Sequence, residues 1–209
     1  MSFSSLSNPR SYDKMMNKIR KWGLDYPDAE GVFRRFYTGD QNSYVGYAQV
    51  FLALLDEVPG YERPIKVDSM KVHDTIFING SVVDEDSDDL PEATLKAHMN
   101  GSMANVIGEG DGPVNAIDKA IQKALSECRV DKVIPEIGNV KLHDYTVPPT
   151  ESSGSEAKVQ VVGLLGTDGK KITSARSHVD IVAASGLMML DGYDSLLTQC
   201  GYGQKGSHV

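Results

Sequence analysis

One short run gathers the residues of this chain best suited to chemistry: GEGDGPVNAIDKAIQKAL, residues 108–125. Glycines alternate with two acids, a proline follows, and an apolar-striped helix begins. Glycine-rich turns ahead of helices hold anions, because the first helical amides lack an intrahelical acceptor and the macrodipole favours negative charge. The phosphate version of that chemistry fits poorly here. Gly108, Gly110 and Gly112 follow GxGxG spacing rather than GxGxxG, and no GK[ST] is present, which excludes a P-loop. Glu109 and Asp111 would repel a phosphate. A small zwitterion fits better: its carboxylate meets the amides and its ammonium meets an acid such as Asp111. The alternative is purely structural, a tight turn and a capped helix with Pro113 at the first helical position and Asp111 or Gly112 as cap.

A second helix start matches the first. Asp180 follows SARSHV and precedes IVAAS, where it reads as an N-cap. If the two halves of the chain are related by pseudo-symmetry, both helix starts are expected near a shared cleft. Other constellations carry less. Asp84, Asp86 and Asp88 imitate the first positions of an EF-hand loop, but Asp89 and Leu95 stand where glycine and glutamate are needed. The five histidines form no HxH, HExxH or HxxxH pattern, so no metal site is expected. No GxSxG elbow occurs. Cys128 and Cys200, the only cysteines, form no CxxC pair and read as plain thiols of a reducing, cytoplasmic compartment.

Bulk properties narrow the class. A chain of 209 residues can bury a core without metal or disulfide staples. Its net charge of −8, with no basic cluster, argues against nucleic acid. No apolar run reaches the roughly 18–20 residues of a membrane span.

The elements that must position these residues are legible as periodicities. Residues 1–12 read as a loose leader, and three helices are expected over 12–23, 28–40 and 47–61. The segment 13–62 is thus expected to be a helical, linker-like appendage. From residue 64 the texture becomes alternating, with strands expected over 65–74, 93–99 and 103–109 and a hairpin turn at Asn79-Gly80. Val114, Ile117, Ile121, Ala124 and Leu125 then mark the core face of a helix, and 128–139 connects onward. Strands recur over 140–147, 156–165 and 171–179, followed by a helix over 180–197. The fold class predicted is α+β: two βββα units over 63–198 with a pseudo-two-fold relation and helices on one face of antiparallel sheet. The tail 199–209 reads as disordered.

Four blocks together resemble the C-terminal regulatory domain of the 2-isopropylmalate synthase and citramalate synthase family. They are GEGDGPVNAIDKAIQKAL, VKLHDYTV, SSGSEAKVQV and SHVDIVAASGLMML. They occur in the family's order, and NAIDKAIQKAL looks closer to the citramalate branch. Two residues separate Ser177 from Asp180, one more than in the family's S-x-D-I. The resemblance implies a homodimer and feedback binding of leucine or isoleucine. It points to Gly110, Asp111, Gly112, Asn115 and Ala116 from the first unit, to Tyr145, Val147 and Ala157 as an apolar side, and to Asp180 and Ile181. It also implies that condensation of acetyl-CoA with a 2-oxo acid, and the divalent metal it uses, belong to a TIM barrel absent from this chain. No cofactor is therefore expected here, and the barrel is an expected partner. Two other readings stay open: a dimerisation module that has lost its ligand, and a chain with residual condensation chemistry of its own.

Overall fold

The computed structural model of the protein describes residues 46–57, 61–73, 90–149, 157–167 and 169–202, together with Asn17. The expected leader, most of the first two helices, the hairpin around Asn79-Gly80, the acidic run 84–89 and the tail beyond residue 202 lie outside the described residues. In chain order the elements are α1 (Tyr47–Asp56), β1 (Lys66–His73), β2 (Glu92–Met99), β3 (Ser102–Glu109) and α2 (Pro113–Glu127). A short α3 (Val130–Val133) and a 3-10 turn (Pro135–Asn139) follow, then β4 (Lys141–Thr146), β5 (Val159–Gly166), β6 (Lys171–His178) and α4 (Ile181–Gln199). The fold is α+β, and strand–strand–strand–helix occurs twice, as the alternation predicts. The connector 128–139 holds α3 and the 3-10 turn. The chain forms two compact units, Ile65–Asn139 and the segments Met1–Pro64 with Val140–Val209.

In the Ile65–Asn139 unit, β1, β2 and β3 form one antiparallel sheet in that order. Asn100 and Gly101 both take positive φ at the β2–β3 turn, the backbone that a two-residue hairpin requires. Ala93, Leu95, Ala97 and Met99 of β2 and Ala104 and Val106 of β3 are buried and meet Ala116, Ile117, Ala120, Ile121, Ala124 and Leu125 of α2. Small residues on both sides let the helix approach closely. Each fully buried isoleucine contributes about 1.5–3 kcal/mol.

In the other unit, β4, β5 and β6 form a second antiparallel sheet. The long α4 lies on β5 and β6 and against α1, and it is buried almost throughout from Ala184 to Thr198. That explains its weak amphipathicity: a helix covered on several sides needs no polar face. The helix expected ahead of the first strand is α1, and Ala48, Val50, Phe51, Leu52, Leu54 and Leu55 are all buried. Gln49 adds a specific link. Its Oε1 accepts from the Ala175 amide of edge strand β6 at 3.0 Å, and its Nε2 donates to Ser174 Oγ at 2.8 Å. An edge strand leaves a row of unpaired backbone groups, and Gln49 closes part of that row with a side chain.

The two first strands share a detail finer than element order. Ile65, Val67, Met70 and Val72 repeat the spacing of Val140, Leu142, Tyr145 and Val147. In each, one gap of three residues breaks the period of two. The registers supply the reason. Asp68 is an extra residue between the pairs Val67–Ala97 and Ser69–Lys96. His143 is an extra residue between Leu142–Leu165 and Asp144–Leu164. Each is a β-bulge, which restores the phase so that the apolar residues on either side of it share a face.

Candidate functional site

The glycine turn is built by β3 and α2. At the end of β3 the Gly110 amide donates to the Pro91 carbonyl at 3.1 Å. Gly112 is the N-cap of α2, in extended backbone, Pro113 opens the helix, and no side chain caps it. Of the two expected caps, the structure selects Gly112; Asp111 is exposed. The Ala116 amide reaches the Gly112 carbonyl at 2.9 Å.

The glycines have different reasons. A Cβ on Gly108 would strike the Ala116 carbonyl and the Ala120 amide and lie 2.8 Å from Ala120 Cα. A Cβ on Gly110 would strike the Ala116 amide and lie 2.5 Å from Asn115 Oδ1. Both are therefore glycine because α2 sits on bare backbone there. Nothing lies within 4 Å of a Cβ placed on Gly112. Of the candidates in this unit, Ala116 is fully buried with its amide already used, Gly110 is buried, and Asp111, Gly112 and Asn115 border the open turn. Glu92 is the register partner of Glu109, and both are exposed, so the turn has an acidic border.

Of the candidates in the other unit, Tyr145, Asp180 and Ile181 meet at the start of α4. Tyr145 Oη lies 2.9 Å from Ser185 Oγ, and Ser185 Oγ donates to the Ile181 carbonyl at 2.7 Å. Val147 follows just past β4 and is exposed, as is Ile181. Ala157 is half-buried ahead of β5, outside the paired register. Asp180 is the N-cap, as expected: its Oδ1 accepts from the Val182 amide at 2.7 Å and the Ala183 amide at 3.1 Å. The Asp180 amide in turn donates to His178 Nδ1 at 3.0 Å. The two helix starts thus differ: one has its amides met by a carboxylate of its own chain, the other has no side-chain cap.

Ser185 was missed by sequence reasoning, and so was a buried polar hub at Asp191. Gln49 Nε2 donates to Asp191 Oδ2 at 3.0 Å, Arg63 Nη1 to Oδ1 at 3.3 Å, and Arg176 Nε also reaches Oδ2. Arg63 also grips Asp56 with two bonds, 2.6 and 3.1 Å long. That hydrogen bonding to Asp56 holds its guanidinium further above the usual arginine range. The available signal was a pair of acids, Asp191 and Asp194, inside a largely apolar helix, LMMLDGYDSLL. Among the described residues no group of three or more His, Cys, Asp and Glu side chains is placed to hold a metal ion, and no helix is long and apolar enough to cross a membrane.

Residues 48–197 match the family model of the LeuA allosteric (dimerisation) domain. The chain belongs to that family. Its LeuA-type domain therefore begins within α1 and runs through nearly all of α4. A Methanosarcina mazei protein whose assigned name is (R)-citramalate synthase CimA is 28% identical over 182 residues, 86% of this chain and 34% of that protein. The (R)-citramalate synthase of Aquifex aeolicus is 38% identical over 87 residues, covering 40% of this chain and 15% of its own length. That of Sulfolobus acidocaldarius is 37% identical over 101 residues, 47% of this chain and 18% of its own. The chain spans about a third of the length of the first relatives it matches. It is a regulatory domain of this synthase family.

Proposed function

We propose that this LeuA-type domain binds a branched-chain amino acid, isoleucine or leucine, and passes the binding to a catalytic domain as a shift between two conformations. The observation that carries the reading is the helix start at Gly112, which has an open turn and no side-chain cap, inside a domain whose family is allosteric. The effector's carboxylate would meet the first amides of α2, and its ammonium the acidic border of Asp111, Glu109 and Glu92. Gly110, Asn115 and Ala116 shape that turn. In the other unit, Tyr145, Val147, Ala157, Asp180 and Ile181 are the residues proposed for effector binding. On this reading the protein acts as a homodimer in the cytoplasm. Condensation of acetyl-CoA with a 2-oxo acid, with its divalent metal, belongs to a barrel domain outside this chain.

Calorimetry of the chain with isoleucine and with leucine tests the reading. One of them is expected to bind in the micromolar to millimolar range and to raise the melting temperature, since a ligand held only by the folded state stabilises it. Gly112→Ala, whose new methyl meets nothing in the fold, is expected to stay folded, losing only about 0.5–1 kcal/mol of N-cap preference, and to lose at least tenfold in affinity. Heat and melting temperature unmoved by either amino acid at millimolar concentration would leave the domain a dimerisation module only. That second reading rests on the same family match.

A further inference from the structure

The turn joining β5 to β6 places an amine against a thiol. Lys170 Nζ donates to Cys200 Sγ at 3.2 Å, across 30 residues of sequence. Both partners are anchored. The Thr167 amide donates to the Lys170 carbonyl at 2.8 Å, and the Lys170 amide donates to Thr167 Oγ1 at 3.3 Å, so the turn holds the lysine backbone from both sides. Gly166 leaves room for that closure: a Cβ there would strike the Lys170 carbonyl and lie 2.7 Å from Lys171 Cα. Cys200 is the C-cap of α4, its amide bonded to the Leu196 and Leu197 carbonyls at 3.0 Å each. Both side chains are half-buried, within reach of a small solute. Cys128 is different: it is buried, its thiol is pushed up by that burial, and Sγ donates to the Ser102 carbonyl at 3.7 Å.

An ammonium donating to sulfur favours the thiolate, the nucleophilic form. A reacting pair held about 3–3.5 Å apart is already near attack distance. We propose that Lys170 and Cys200 form an oxidation-responsive pair that closes into a covalent sulfur–nitrogen link on exposure to a hydroperoxide. In the first step the Cys200 thiolate attacks a peroxide oxygen. The S–O bond forms, the O–O bond breaks, and the departing hydroxide takes a proton from the Lys170 ammonium to leave as water. Sulfur is oxidised by two electrons and the peroxide is reduced. Cys200 is then a sulfenic acid, and Lys170, having given up its proton, is a neutral amine. Its lone pair attacks sulfur, the S–N bond forms, the S–O bond breaks, and the leaving hydroxide takes the second amine proton as a second water. Thiolate, ammonium and hydrogen peroxide thus become a sulfenamide and two waters. Condensation of a sulfenic acid with nitrogen is established cysteine chemistry, and a thiol reductant reverses it. The link fastens the β5–β6 turn to the end of α4, in the unit that contains Tyr145 and Ile181.

The test is non-reducing peptide mapping of the full chain after hydrogen peroxide treatment. The expected product joins the Lys170 peptide to the Cys200 peptide, lighter than their sum by two hydrogens, and dithiothreitol releases it. Cys128 stays a thiol. Lys170→Arg, which keeps a donor but has no nucleophilic amine, loses the link and accumulates a Cys200 sulfenic acid that dimedone traps. Cys200→Ser gives no product. The proposal is overturned if native Cys200 goes to sulfenic, sulfinic or sulfonic acid with Lys170 free throughout. It also fails if Cys200 joins a second chain by disulfide, or stays reduced where N-acetylcysteine is consumed.

Discussion

Tyr145 donates its hydroxyl proton to Ser185 across 2.9 Å, and the direction of that bond follows from the next one. Ser185 has a single hydroxyl proton, and it goes to the Ile181 carbonyl. Tyr145 is therefore the donor, and β4 is tied to the first turn of α4 through a serine that both bonds need. Tyr145→Phe should cost about 0.5–1.5 kcal/mol, the net worth of one hydrogen bond. Ser185→Ala should cost more, because it removes both bonds and leaves the tyrosine hydroxyl without that acceptor. Urea denaturation of the two variants gives the order directly. Equal costs would mean that the Tyr145 hydroxyl is well served by water.

The glycine turn makes a sharper contrast within one loop. Gly108→Ala forces a methyl into α2 backbone, which cannot rotate away as a side chain can. The expected loss is about 1–3 kcal/mol or more, the usual range for overpacking. Gly112→Ala meets nothing within 4 Å at an extended, unstrained backbone, so it should cost only about 0.5–1 kcal/mol, the preference of an N-cap for glycine over alanine. Chemical denaturation of both variants, with intact helix signal by circular dichroism, checks the pair. A Gly108→Ala protein as stable as the parent would show that α2 does not sit as described.

Much of this was legible in sequence, and the parts that were not have specific reasons. The alternation of β2, β3, β5 and β6 and the stripe of α2 are local patterns, read at short range. The paired bulges at Asp68 and His143 were visible only as a doubled spacing, whose meaning depends on the partner strands. Asn100-Gly101 carried the same hairpin signal as Asn79-Gly80 and passed unread. The reason for Gly108 was hidden, because sequence spacing cannot tell an approaching helix from an approaching molecule. Asp191 was illegible for a different reason. Arg176 of β6 is 15 residues away, but Gln49 of α1 and Arg63 before β1 lie 142 and 128 residues away, and nothing local announces contacts at that range.

The Asp191 hub should be costly to break. Its side chain is 5% exposed, while those of Arg63 and Arg176 are 34% and 37% exposed. Asp191→Ala leaves two arginines and the Gln49 amide without their shared acceptor. The arginines recover some hydration, so the expected cost is about 3 kcal/mol, at the low end for removing one partner of a buried pair. Asp191→Asn keeps an acceptor oxygen but loses the charge, and should fall between the parent and Asp191→Ala. Arg63→Lys should cost less than either, because Lys can still satisfy one carboxylate but not the two-bond grip on Asp56. A double-mutant cycle between Asp191 and Gln49 isolates their coupling. A cycle that sums to zero would mean that the Asp191 bond adds nothing to what Gln49 gains from Ser174 and the Ala175 amide.

Tyr61 gives the chain an alkaline limit whose sign can be worked out. Burial, opposed by its hydrogen bond to Thr198 at 3.1 Å, pushes the Tyr61 phenol up to about 12 from its ordinary 10.0. The folded state thus holds the proton more tightly than the unfolded chain. Tyr61 contributes its full stability below pH 10, where both states are protonated, and loses it between pH 10 and about 12 as only the unfolded state ionises. The acid side of the curve is untouched by this group. Tyr61→Phe removes the titration, so the difference in stability between the parent and that variant should stay flat to pH 10 and drift toward the variant above it. The measurement is a urea midpoint for both proteins from neutral pH upward, taken as a difference so that lysine ionisation cancels. A difference that holds constant through the alkaline range would place the Tyr61 hydroxyl in water rather than against Thr198.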